Sequence, residues 1–145
     1  MKQFAFPNLD FKDFPSLSAF VFKELRGCTQ DSWLEAITKR EESSPTALSI
    51  NGLVVAIPHS DKEHVKAQGL CVCTLKHPIQ MRSMMDASPL DASMVIYILI
   101  EDPKAHVQFL ARLMGLIQNE SLLRKIQASS NSDEILQLVN EGLNQ

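Results

Sequence analysis

The chain lacks any long hydrophobic run: its longest uninterrupted apolar stretch, Met94–Ile100, falls far short of the about 20 residues that span a bilayer. The opening MKQFAFPNLDFKDF is broken by Pro7, Asp10 and Asp13 and has no signal-peptide core. Basic excess is missing too. Fourteen Lys and Arg stand against 17 Asp and Glu, for a formal charge of −3. No cationic stripe is present to neutralise phosphates, which argues against a nucleic-acid groove. Cysteine is scarce and odd in number, three in all, at positions 28, 71 and 73. Cys71 and Cys73 alternate with Val72 and so share one strand face, but no second pair completes a tetrahedral metal site. Buried reduced thiols are the expectation, with no metal and no cofactor. Repeats and low-complexity segments are absent. These absences predict a cytoplasmic protein that neither enters a membrane nor binds nucleic acid.

What is present fits one domain over residues 1–145, with its core at about 15–143. The length is that of a typical single domain, and 45% apolar with 21% charged residues is ordinary for a globular chain. In SLSAFVFKELRGC, Leu17, Phe20, Val21 and Leu25 follow helical spacing, with Gly27 near the stop. SWLEAITKREE opens on Ser32 and Glu35, a capping-box spacing, and ends before Pro45. Leu53–Ile57 and Met94–Ile100 read as strands covered on both faces, and GLCVCTL and HPIQM as two more. Helices follow again: one opened by Asp102 and Pro103, then ESLLRKIQA and SDEILQLVNEGL. Helices on both sides of buried strands predict an α/β three-layer sandwich, a central mixed sheet with helices on both faces.

The stretch LVVAIPHSDKEH, Leu53–His64, ends a buried strand by presenting an imidazole. Ser60 and Glu63 repeat the S-x-x-E spacing, which predicts a helix from Asp61 to near Gly69. His59 would then sit at a helix N-terminus, where the dipole favours an anion and disfavours imidazolium. A neutral imidazole is a nucleophile, so this context suits a histidine that receives and holds a phosphoryl group. His106 has a parallel setting just beyond Met94–Ile100. If the two strands run parallel, both histidines emerge at one sheet edge, where open α/β sheets bind ligands. Plainer roles compete. His64 lies five residues from His59, not the four of a metal pair, and reads as a solvated helix residue. His77 beside Pro78 reads as a turn. Arg40 and Glu41 sit near a helix C-terminus, where the dipole alone favours a cation. A metal hydrolase built on His59, His64 and His106 lacks a carboxylate at ligand spacing.

KREESSPTALSINGLVVAIPHSDKEHV resembles the active-site region of the enzyme IIA proteins of the bacterial sugar phosphotransferase system, in the fructose–mannitol superfamily. The shared pattern is an Arg-Glu pair, a later Thr, and a strand ending in A-[IV]-P-H, here Arg40, Glu41, Thr46 and Ala56-Ile57-Pro58-His59. MVIYILIEDPKAHVQFLARLMGLIQNESLLRKI is similar to the family's second strand–helix block, and His106 falls at the place of a second active-site histidine in mannitol-type members. The resemblance implies a phosphocarrier. HPr would donate to His59, at Nε2, and a cysteine of a IIB protein would accept before a membrane IIC component admits the sugar. It implies that Arg40 holds the phosphoryl oxygens and that His106 supports them, with Ser60, Glu41 and His64 as weaker candidates. A single glycine in INGLVVAIPHS, and Ser60 after the histidine, look closer to the galactitol-type branch. His106 points instead to mannitol-type members. A regulatory IIA-like protein, whose phosphorylated histidine controls binding to another protein, is the alternative.

Overall fold

The computed structural model describes residues 1–144. Five strands, β1 (Lys2–Leu9), β2 (Ala47–Ile50), β3 (Leu53–Ala56), β4 (Gly69–Arg82) and β5 (Pro89–Leu99), form one sheet in the order β1-β4-β5-β3-β2. β1 and β4 are parallel, as are β3 and β5; β4–β5 and β2–β3 are antiparallel. The sheet is therefore mixed. Helices α1 (Phe14–Glu24) and α2 (Trp33–Ser43) cover one face, and α3 (Pro103–Ile117), α4 (Glu120–Ala128) and α5 (Ser132–Leu143) the other. This is the expected three-layer sandwich.

Side-chain alternation explains the two covered faces. On β5, Met94, Ile96 and Ile98 meet Leu113, Leu116, Leu123 and Val139 of the three-helix layer. Val95, Tyr97 and Leu99 meet Leu17, Val21, Trp33 and Ile37 of the other. With both faces buried, the strand reads as an unbroken apolar run. The Tyr97 hydroxyl lies 2.8 Å from Ser18 Oγ, so this buried polar pair is satisfied.

Local chemistry sets the helix starts. Asp13 accepts the Ser16 N–H, Asp102 the Lys104 N–H, Asn119 the Leu122 N–H and Asn131 the Glu134 N–H. Ser32 departs from its expected capping box: it makes no cap bond to α2, because its hydroxyl is taken by His64 Nδ1 at 2.7 Å.

Three strand expectations need correction. β1 lies before the predicted core. Its Pro7 is tolerated because the strand is at the sheet edge, and Asn8, at φ 55, donates its N–H to Thr74 Oγ1 where the register shifts. GLCVCTL and HPIQM are one strand, β4, whose pairing with β5 slips between Thr74 and Ile79. His77 falls inside that slip, exposed and 3.3 Å from Asp10, rather than in a turn. β2 was not anticipated; it forms a hairpin with β3 through Asn51 (φ 50) and Gly52 (φ 90), the pair a two-residue left-handed turn requires.

The first and last elements close on each other. Gln3 Nε2 donates to Asn140 Oδ1 at 2.8 Å and Asn140 Nδ2 donates to Gln3 Oε1 at 3.0 Å. Gly69 opens β4 where the Lys2 carbonyl leaves no room, since a Cβ there would lie 2.5 Å from that oxygen.

Candidate phosphoryl-transfer site

β3 and β5 are adjacent and parallel, with Val55 opposite Met94 and Ala56 opposite Val95. Their chains therefore leave the sheet at the same edge, as the histidine argument required. Beyond β3, Pro58 still accepts the Ile98 N–H at 3.0 Å, and His59 bridges to Ile98. Beyond β5, Asp102 caps α3 and accepts the His106 N–H at 3.0 Å, which places His106 in the first turn. The two imidazole centroids are 6.2 Å apart with planes inclined at 51°. From the last turn of α2, Arg40 reaches the same place. Arg40, His59, Ser60, Asp61, Lys62, Ile100 and His106 line an open cleft of about 350 Å³.

The tautomer of His59 follows from its partner. Nδ1 lies 3.0 Å from the Ile57 carbonyl oxygen, which can only accept, so Nδ1 carries the proton. Nε2 of the neutral ring is left with its lone pair. Two of the residues that line the cleft with His59 carry a polar atom that is buried and unpartnered, Arg40 Nε and His106 Nδ1. Arg40 Nη1 donates to Asp61 Oδ1 at 3.2 Å. A buried donor without an acceptor is costly, and a bound phosphoryl oxygen is the kind of group that relieves it.

The expected helix after Ser60 is absent. Residues Lys62–His64 make a single 3₁₀ turn with no side-chain cap, and the Ser60 hydroxyl bonds to the Asp61 carbonyl instead. The segment then joins the α1–α2 connection, with Val65 bridging Thr29 and Lys66 N–H bonding to the Cys28 carbonyl. So short a turn supplies no useful dipole. Burial is what holds His59 below the ordinary histidine range, with Arg40 and His106 acting in the same sense. The bond to Ile57 and the Asp61 carboxylate oppose them.

The sign for stability follows. As pH falls, the unfolded chain protonates this histidine first, so the contribution of neutral His59 is present above its unfolded pKa. It is lost as pH falls through the depressed folded value. An NMR titration of the His59 ring is expected to give a midpoint below about 6.5; a midpoint at or above that value would contradict the burial argument.

The other sequence candidates separate cleanly. Ser60 lines the cleft. His64 does not: Ser32 holds its Nδ1, and Nε2 faces Glu63 at 3.5 Å. It is half-buried rather than solvated in a helix. Glu41 points into the interior, where its two carboxylate oxygens each accept from Thr46 at 2.8 Å. Lys62 was missed. It adds a second cation to the cleft, and its signal was a lysine in the polar segment directly after the histidine. Cys71 and Cys73 are buried free thiols with their sulfurs 3.8 Å apart. Among the described residues no three His, Cys, Asp or Glu side chains gather as a metal site, and no helix is long and apolar enough to cross a membrane.

The chain is similar to known proteins in both sequence and fold. The chain is 22% identical over 121 residues to the galactitol-specific EIIA component of the phosphotransferase system of Escherichia coli K12, covering 82% of this chain and 81% of that protein. It is 29% identical over 115 residues to a nitrogen regulatory protein of Bradyrhizobium diazoefficiens, covering 77% and 71%. Its fold matches the NMR structure of Escherichia coli enzyme IIAMTL, solved in complex with phosphorylated enzyme IIBMTL. The TM-score is 0.76 at 21% identity, over 94% of both chains. The family described as "Phosphoenolpyruvate-dependent sugar phosphotransferase system, EIIA 2" matches residues 19–142. The chain belongs to this EIIA family and is a phosphotransferase component of that system.

Proposed function

We propose that the protein is a phosphocarrier of one domain, residues 1–145, with His59 Nε2 as its phosphoryl acceptor. The observation that carries this reading is the Nδ1–H bond to the Ile57 carbonyl, which leaves Nε2 as the free nitrogen in a cleft that Arg40 and His106 also line, each with an unpartnered buried nitrogen. The Nε2 lone pair attacks the phosphorus of the phosphohistidine on HPr. The donor P–N bond breaks as the new one forms, and the released electron pair returns to the HPr imidazole. Nδ1–H stays on Ile57 throughout. In the second step a cysteine thiolate of a IIB protein attacks the same phosphorus, and the electron pair returns to Nε2. Little covalent help is needed in such transfers, which depend on placement and on charge stabilisation of the equatorial oxygens. Arg40 supplies that stabilisation, His106 supports it, and Lys62 adds to the field. Ser60 shapes the cleft wall.

The galactitol-specific relative and the single-glycine approach to the histidine support a galactitol-like sugar or polyol as the cargo, admitted by a membrane IIC component. The complex known for IIAMTL supports a IIB protein as recipient. A second reading has its own support in the nitrogen regulatory relative: the same phosphorylation would govern binding to another protein.

Incubation with phosphoenolpyruvate, enzyme I and HPr should add one acid-labile phosphoryl group, read by intact mass at neutral or alkaline pH. Subsequent transfer to a galactitol-type IIB selects transport, and retention of the group selects regulation. No addition, with enzyme I and HPr active on a control acceptor, would overturn the phosphocarrier reading.

A further inference from the structure

Arg40 and Glu41 are neighbours on α2 and point to different places. Arg40 lines the cleft; Glu41, only 9% exposed, faces inward without an ion-pair partner among the described residues. Burial pushes its carboxyl up, against the two bonds from Thr46 and the charge of Arg82. A carboxylate in such a place is expensive unless its lone pairs are used. They are used for one residue. Oε2 accepts the Thr46 N–H and Oε1 the Thr46 hydroxyl, both at 2.8 Å.

The chain of bonds then runs to the histidine. Ala47 pairs with Ala56, so the next pair of the β2–β3 ladder would set Thr46 against Ile57. There the Thr46 side chain takes over as acceptor: Ile57 N–H donates to Thr46 Oγ1 at 3.1 Å. The Ile57 carbonyl in turn accepts His59 Nδ1–H at 3.0 Å. An ionised carboxylate is acceptor-only, so it commits the Thr46 proton to Glu41 and turns the remaining lone pairs of Oγ1 toward Ile57. Each bond polarises the next. Pro58 fixes the following φ, and its carbonyl is pinned by Ile98. The Ile57–Pro58 unit is thus held from β5 on one side and, on the other, through Thr46.

We propose that Glu41 is a positioning residue: through Thr46 Oγ1 and the Ile57 main chain it fixes the tautomer and orientation of His59, keeping Nε2 free for phosphorus. The role rests on the phosphocarrier reading for its purpose, but not for its geometry. Glu41 acts by placement, through the bonds from Thr46 and from Ile57.

Glu41→Gln keeps the shape and offers one acceptor where two are needed. Thr46→Val removes Oγ1, and Thr46→Ser restores it. The ¹⁵N spectrum of the His59 ring at neutral pH reports the tautomer directly. In Glu41→Gln and Thr46→Val the Nε2–H form should rise at the expense of Nδ1–H, and phosphoryl acceptance should slow by about tenfold or more, the usual scale for losing such an orienting partner. Thr46→Ser should rescue both. An unchanged tautomer in the folded variants, whatever their melting temperatures, would overturn the proposal and leave Glu41 as a structural tie. Should Glu41→Gln fail to fold, the Thr46 pair decides alone. A tautomer that shifts as expected, in a protein that HPr does not phosphorylate, would uphold the positioning role and overturn the phosphocarrier reading.

Discussion

Replacing His59 with alanine is expected to abolish phosphoryl acceptance and to leave the fold in place. The loss should be complete because the remaining histidine of the cleft cannot substitute. His106 is set in a helix turn, its Nδ1 is buried without a partner, and its ring centre is 6.2 Å from that of His59. The cost in stability should be small. His59 lies beyond the end of β3, half-buried at the cleft wall; the main-chain bridge to Ile98 needs no side chain, and the side-chain bond lost is that to Ile57. The loss of one such hydrogen bond costs about 1 kcal/mol. Intact mass after incubation with HPr, beside a thermal melt, checks both halves. A phosphoryl group still taken up by the folded variant would move the acceptor to another residue.

Arg40→Ala should slow acceptance by about 10²–10³-fold, the scale of removing a preorganised donor from a developing negative charge. The alternative is that Arg40 serves only the C-terminal dipole of α2, worth about 0.3–1 kcal/mol of stability. The ion pair with Asp61 does not rescue that alternative: the Asp61 side chain is 71% exposed, and exposed pairs contribute little. More telling is the Nε, buried and unpartnered, on a side chain whose planar fork suits phosphate oxygens. Arg40→Lys keeps the charge and loses the fork, so it should recover only part of the rate. A wild-type rate in Arg40→Ala, with a lowered melting temperature, would return the residue to the dipole role.

How far the sequence leads can be judged at these same residues. His59 and His106 were legible because each follows an apolar run too rich in Val and Ile for a helix, and two such runs side by side bring their ends together. The layer arrangement came from the same runs. What misled was S-x-x-E spacing. Ser60–Glu63 is followed by Val65 and no further apolar periodicity, so no buried face exists to hold a helix there, and Ser32 prefers His64. The bulge in β4 hid one strand behind the appearance of two, since a slipped register interrupts alternation. Glu41 read as a helix-end residue because nothing local marks a carboxylate whose partner, Thr46, lies beyond the helix in the approach to β2. Its meaning is set by the ladder that carries Thr46 opposite Ile57, and that pairing is a tertiary fact.

The seam between β1 and its neighbours has a consequence for biosynthesis. A ribosome releases β1 and the α1 helix that packs on its Phe6 well before the strand partner and the side-chain tie of β1: β4 begins at Gly69, and Asn140 lies in α5. Parallel pairing over such separations closes slowly, because a long loop must be gathered before any contact rewards it. Throughout that interval the outer edge of β4 is an unpaired row of backbone groups, open to a strand from another chain. Because β1 precedes its strand partner by about sixty residues of chain, the growing polypeptide stays vulnerable along that seam until the two have met.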